Sequence, residues 1–346
     1  MVNVRTAARI AAIGAGGAAL STGLLAGTLF GQAMLARRTI PGAESPPPRG
    51  DGRYGHVTGP PLRLVMLGDS TAAGYGVTKP RQTPGALLAT GLAARTRRPV
   101  ALRTLAVVGA TSAMLAPQVL EAIALRPDLA VILVGANDVT HRISPTTSAR
   151  QLVQAVHALR AAGARVVVGT CPDLGTILPV PRPLRWFARR WSRQMAAAQT
   201  VAAVGAGAAT VSLCDLLGPR FAADPVRMFG GDRFHPSIEG YAAAAAVLLP
   251  TVVSQLTGDA PILRGDEGVR ALPQAAEEAT RQPGTEITPA RVAGREHGPA
   301  GRWVELRTRM WAAIRPTDPH MQGAHVRSEG DGHVTPASPS TVERAA

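Results

Sequence analysis

Leu64-Val65-Met66-Leu67-Gly68-Asp69-Ser70-Thr71 runs from an unbroken apolar stretch straight into a small polar turn. Such a run, closed by Gly and Asp, reads as a buried strand ending at a loop. Four further runs of Val, Leu and Ile repeat the pattern, so strands are expected over 62–67, 100–107, 129–135, 165–170 and 210–214. They are nearly continuous in hydrophobicity rather than alternating, as parallel strands covered on both faces are. Ala- and Leu-rich stretches at 84–96, 113–125, 147–162, 189–206 and 237–256 read as the helices between and after them. The alternation predicts an α/β fold, a doubly wound five-stranded parallel sheet with helices on both faces.

In such a sheet the reactive groups collect beyond the carboxyl ends of the strands. Ser70, Gly109 and Asn137 each fall just past the end of an expected strand, and Asp232-Arg233-Phe234-His235-Pro236 precedes the last helix. A serine hydroxyl is a poor nucleophile until a base takes its proton. His235 is the candidate base, and Asp232, three residues earlier, is close enough in a turn to orient the imidazole. Pro236 biases His235 away from helical dihedrals and suits the start of the helix that follows. The backbone N–H groups of Ser70 and Gly109 and the side-chain amide of Asn137 are the candidate oxyanion hole. A glycine at 109 lets the backbone approach substrate without a Cβ in the way. Asp69 and Asp138 are expected to brace these loops by accepting backbone hydrogen bonds. His141, just after Asn137, is the rival base. Nucleophile, acid, base and donors together are the inventory for hydrolysing an ester.

These blocks in this order resemble the SGNH hydrolase superfamily, the GDSL-type esterases and lipases. Gly68-Asp69-Ser70 matches the first block, Gly109 the second, Gly135-Ala136-Asn137-Asp138 the third and Asp232 to Pro236 the last. Thr71 stands where the motif's name has Leu. Pro172-Asp173-Leu174-Gly175-Thr176 and Pro183-Leu184-Arg185 are similar to actinobacterial members. The resemblance implies a flavodoxin-like three-layer α/β/α sandwich over 61–258 and a serine esterase that forms an acyl-enzyme on Ser70. The implied substrate is an acyl ester, either lipid-like or an acylated envelope glycan, with no metal or organic cofactor. The same triad also serves an envelope O-acyltransferase or a carbohydrate O-deacetylase, and a non-catalytic scaffold is the reading from another class.

The net charge of +14 invites a nucleic-acid partner. Lys79 is the only lysine, however, and the arginines are scattered rather than gathered in a stripe, so no nucleic-acid binding is expected. Residues 1–38 carry an uncharged apolar stretch from Ile10 to Ala36, between Arg5 and Arg9 on one side and Arg37 and Arg38 on the other. It is long enough to cross a bilayer, and Gly31-Gln32-Ala33 also fits a signal cleavage site. Two readings stay open: a membrane anchor with the catalytic domain outside, or secretion after cleavage. Residues 39–60, with Pro46-Pro47-Pro48, read as an extended linker.

Residues 259–346 are polar and read as a disordered tail. Within it, 302–315 can form a short basic amphipathic helix with Trp303, Leu306, Met310 and Ile314 on one face. Pro183–Arg193 interleaves Trp186, Phe187 and Trp191 with Arg185, Arg189, Arg190 and Arg193. It reads either as a flap at the site's rim that touches membrane or acyl chains, or as a helix packed on the sheet. Cys171 and Cys214 are each placed at a strand end, either paired or as two free thiols. No Cys or His spacing supports a metal.

Overall fold

The computed structural model describes Leu24, residues 27–35, Arg38, residues 45–257 and residues 286–287. In chain order the strands are β1 (Gly52–Tyr54), β2 (Leu62–Gly68), β3 (Val100–Thr104), β4 (Leu129–Leu133), β5 (Arg165–Gly169), β6 (Ala209–Val211) and β7 (Glu286–Ile287). The helices are α1 (Ser70–Ala73), α2 (Pro84–Thr96), α3 (Leu115–Ala124), α4 (Ala136–Thr140), α5 (Pro145–Ala161), α6 (Leu184–Gly205), α7 (Leu213–Ala223), α8 (Pro225–Met228) and α9 (Ile238–Thr257). Two of the longer helices start where their sequence prepares them. Thr83 and Ser144 cap α2 and α5 by accepting the N–H of Ala86 at 3.3 Å and of Thr147 at 3.1 Å, and a proline follows each cap.

The sheet order is β1-β3-β2-β4-β5-β6-β7. The five strands β2 to β6 are parallel, as expected. Antiparallel strands at both edges extend the sheet to seven, so the count of five is corrected. Neither addition carries an apolar run. β1 is Gly-Arg-Tyr within the segment read as linker, and it pairs Gly52 with Leu102 and Tyr54 with Val100. β7 is two residues within the segment read as tail.

Successive side chains on a strand point to opposite faces. On β2, Leu64 and Met66 join the core formed with Leu88, Leu92, Leu248 and Val252 of α2 and α9. Val65 and Leu67 join the core on the other face, with Leu115 and Val119 of α3 and Leu152 and Val156 of α5. Both faces are covered, which is why β2 reads as continuous rather than alternating.

The run at 210–214 divides differently from the reading. β6 stops at Val211, and α7 begins at Leu213, so Cys214 lies on a helix. Short apolar runs fit a buried strand and a buried helix equally well. Cys171 and Cys214 are both free and buried. Burial pushes the Cys171 thiol well up and the Cys214 thiol up to about 12, so neither supplies a thiolate near neutral pH.

Among the described residues, one helix, α9, is long and apolar enough to cross a membrane. It buries Tyr241, Leu248 and Val252 in the core instead. Most of the stretch from Ile10 to Ala36, and the helix expected at 302–315, lie outside the described residues.

Candidate active site

Ser70 owes its place to the turn that leaves β2. Gly68 has φ +128, and a Cβ there would stand 1.8 Å from the carbonyl oxygen of Leu133, so only glycine fits. The Asp69 N–H donates to that Leu133 oxygen at 3.0 Å, tying the turn to β4. Asp69 caps α1, its Oδ1 accepting the Thr71 N–H at 2.9 Å. Burial pushes the Asp69 carboxyl up to about 6, against the Thr71 N–H and the charge of His235. Ser70 follows as the first residue of α1 and is buried, 7% exposed, at the carboxyl end of β2.

His235 and Asp232 come from the loop before α9. Asp232 Oδ1 accepts the N–H of Phe234 at 3.0 Å and of His235 at 2.9 Å, which closes the loop into a turn. Its Oδ2 lies 2.6 Å from His235 Nδ1, and His235 Nε2 lies 3.0 Å from Ser70 Oγ. Burial alone would raise the Asp232 carboxyl. The His235 ring and the two backbone N–H groups outweigh it and hold the carboxyl below its ordinary range. The imidazole is packed edge-to-face against Tyr75 at 4.6 Å and Phe234 at 4.9 Å. Gly230 donates to the His235 carbonyl at 2.8 Å, and the buried Tyr241 hydroxyl on α9 donates to the Tyr75 carbonyl at 2.7 Å.

Gly109 lies on the loop after β3, and Asn137 lies in the first turn of α4, after β4. The Val107 N–H donates to the Gly68 carbonyl at 3.1 Å, and the Ala110 N–H closes a turn onto Val107 at 3.0 Å. Gly109, inside that turn, has φ +82, and a Cβ there would meet nothing within 4 Å. The backbone conformation therefore selects glycine, and the space beside it is open. Asn137 Nδ2 donates to the Ala110 carbonyl at 3.0 Å, one residue from Gly109. Asp138 accepts the Ser112 N–H at 3.2 Å and the Ser112 hydroxyl at 3.0 Å. Burial raises the Asp138 carboxyl against those two donors. Asp69 and Asp138 thus brace the loops in the way expected of them.

His141 is not part of this group. Its Nδ1 lies 2.8 Å from the Asn137 carbonyl on an exposed helix end. Among the described residues no three His, Cys, Asp or Glu side chains gather in a metal-binding arrangement.

Two glutamines were not foreseen. Gln118 on α3 accepts the Gly68 N–H at 2.7 Å and donates to the Gly68 carbonyl at 3.0 Å. Gln199 on α6 accepts the Cys171 N–H at 2.8 Å and donates to the Val134 carbonyl at 3.0 Å. Both are buried. A carboxamide carries a donor and an acceptor side by side, so each bonds an N–H and a carbonyl of strand-end backbone at once. A glutamine in an amphipathic helix gives no sequence signal for this use.

A model of the GDSL-like Lipase/Acylhydrolase family matches residues 66–243. The chain is 42% identical over 268 residues to the GDSL-like esterase Rv1075c of Mycobacterium tuberculosis, covering 74% of this chain and 84% of that protein. Among solved structures, it is similar to the lipase/acylhydrolase from Enterococcus faecalis (TM-score 0.46, 21% identity, 56% of this chain and 96% of that one). A mutant of Axe2, an acetyl-xylooligosaccharide esterase from Geobacillus, is similar to the same extent (TM-score 0.45, 18% identity, 55% and 94%).

Proposed function

The chain belongs to the GDSL-like lipase/acylhydrolase family of ester-hydrolysing enzymes, and on that premise we propose that it works through an acyl-enzyme on Ser70. The observation that carries this reading is the continuous relay of 2.6 Å from Asp232 to His235 and 3.0 Å from His235 to Ser70. With Nδ1–H donating to Asp232, the Nε2 lone pair faces the Ser70 hydroxyl. Nε2 takes the hydroxyl proton as Oγ attacks the ester carbonyl, and the carbonyl electron pair moves onto oxygen. The N–H groups of Ser70 and Gly109 receive that oxyanion, with the second N–H of the Asn137 amide, the first being held by Ala110. His235 then gives its proton to the departing alcohol, leaving the acyl group on Ser70. Water repeats the sequence in reverse and frees the acid. Asp232, held below its ordinary range, stays ionised and supports the imidazolium.

The substrate in this reading is an acyl ester, lipid-like or on an acylated glycan. The N-terminal segment holds the enzyme at the membrane with its catalytic domain, 61–258, outside. The full chain should hydrolyse p-nitrophenyl esters, and the acyl-length profile separates a short-acyl deacetylase from a lipid esterase. Ser70→Ala and His235→Ala should each lower kcat by roughly 10⁴-fold or more with folding intact, since members of such a relay act as a unit. Full activity in Ser70→Ala would remove the nucleophile from this account, and full activity in His235→Ala would remove the base.

A further inference from the structure

Residues 27–35 are helical and touch the catalytic domain. Gln32 makes the contact, and Leu29 and Ala33, at helical spacing from it, are half-buried with it. Gln32 is the latch. Its Oε1 accepts the Leu184 N–H at 3.0 Å, and its Nε2 donates to the Arg182 carbonyl at 2.6 Å. Leu184 opens α6, and the first N–H groups of a helix have no partner inside it. Gln32 supplies one from the far end of the chain.

The segment also carries exposed apolar side chains, Phe30 at 63% and Met34 at 41%. Trp186, in the first turn of α6, is 57% exposed, and Leu178, whose carbonyl accepts from Arg185 at 3.4 Å, is 55% exposed. Single exposed apolar side chains are ordinary, but these lie on the two segments that Gln32 joins. The exposed charge on that stretch is positive. From Leu174 to Cys214 the chain carries Arg182, Arg185, Arg189, Arg190 and Arg193 and no acidic residue, and none occurs before Glu44. Arg189 and Arg193 turn to the buried Asp173 at 3.2 and 3.7 Å, while Arg182 and Arg190 are exposed. Tryptophan and arginine, each with an apolar body and a polar tip, suit the boundary between lipid and water.

We propose that the latched 27–35 segment and the start of α6, with Leu178, Trp186, Arg182 and Arg190, form one docking surface for an anionic lipid bilayer. It rests on the reading of Ile10 to Ala36 as a retained anchor and goes beyond it. An anchor on a flexible linker leaves the domain free to turn, whereas the Gln32 latch fixes which edge faces lipid. That edge is the carboxyl edge of the sheet. The segment leading to α6 leaves the end of β5, two strands from β2, and Ser70 follows the end of β2. The site is thereby held where esters reach it from the membrane.

The test uses the full chain in vesicles of phosphatidylglycerol and phosphatidylcholine. Trp186→Cys and, one turn on, Arg190→Cys carry the environment-sensitive NBD dye, while the buried Cys171 and Cys214 stay unlabelled. Ala162→Cys, exposed before β5 at the opposite edge, is the reference. Hydrolysis of a soluble ester by each variant shows that its domain is folded. With nitroxide-labelled lipid in the vesicles, the dye at 186 and 190 should lose emission and the dye at 162 should not. Equal emission loss at all three positions, or none at 186 and 190, overturns the docking surface. A chain that stays with the vesicles while 186 and 190 are silent overturns the surface and leaves the anchor. A chain that leaves the vesicles overturns both. None of these outcomes depends on Ser70.

Discussion

Gly68 and Gly109 both sit at the site with positive φ, yet substitution should act on them differently. At Gly68 a methyl group would stand 1.8 Å from a backbone oxygen of β4, which cannot move without breaking the sheet. Gly68→Ala should cost about 4 kcal/mol or more, the range of the most damaging single changes. At Gly109 the methyl group would enter open space, so only the left-handed backbone penalty applies, about 1–2 kcal/mol. Gly109→Ala should therefore fold and melt slightly lower. Its methyl group crowds a proposed oxyanion donor, so kcat/KM should fall by roughly 10- to 100-fold. Thermal melts and ester kinetics on both variants decide the matter. An unchanged melt in Gly68→Ala, or full activity in Gly109→Ala, would contradict the account. Ser70, Asp232 and His235 were legible because each is a residue type with few other uses in that order. Glycine at 109 was legible as a special position, but the reason visible in sequence was close approach, and the φ of +82 was hidden. Gln118 was illegible, because what it does depends on a strand end 50 residues away.

Elements with a large apolar face in the core were the readable ones. The reading placed α2 at its observed bounds and β2 within one residue, since α2 buries Leu88 and Leu92 and β2 buries every residue except Arg63. Elements defined by pairing alone, β1 and β7, left no apolar trace. The junction of β6 and α7 was misread for a related reason, and it carries a charge in an unusual place. Asp215 lies in the first turn of α7, where a helix dipole favours a negative charge. Its Oδ2 is nevertheless buried without a hydrogen-bond partner. Burial outweighs the attraction of Arg193 and pushes the carboxyl up to about 7. A carboxyl whose pKa rises on folding prefers its proton in the folded state. The stability it contributes is whole below its unfolded pKa, about 4, and is lost as pH rises through about 7. Asp215→Asn should thus melt about 3 °C or more above the parent at pH 8, with the gap closing towards pH 4. Thermal unfolding of both proteins across that range is the measurement, and a constant or reversed gap would mean the carboxylate is well paired in the fold.

For the whole molecule, α9 and the 27–35 segment are both apolar and helical, and packing separates them. α9 spends its apolar side chains on the core, where Tyr241, Leu248 and Val252 are fully buried. The segment 27–35 turns Gln32 to the domain, half-buries Leu29 and Ala33 and leaves Phe30 exposed. Hydropathy could not rank these two, because it counts apolar residues without knowing what covers them. The relay and its braces draw on β2, β4, α1, α3, α4, the loop before α9 and, through Gln199, α6; among the described residues none of these hydrogen bonds runs directly to residues 27–35. On the proposed reading of an N-terminal anchor, anchoring and chemistry should be separable, since sites that share no partners act independently. Deleting residues 1–38 should leave kcat/KM on a soluble ester within about twofold of the full chain, while recovery in the membrane fraction is lost. Cell fractionation beside solution kinetics reads both. A truncated chain that stays with the membrane would place the contact in the arginine-rich start of α6 or in residues 302–315. A truncated chain that is soluble but slow on a soluble ester would mean that the 27–35 segment acts on the site through α6.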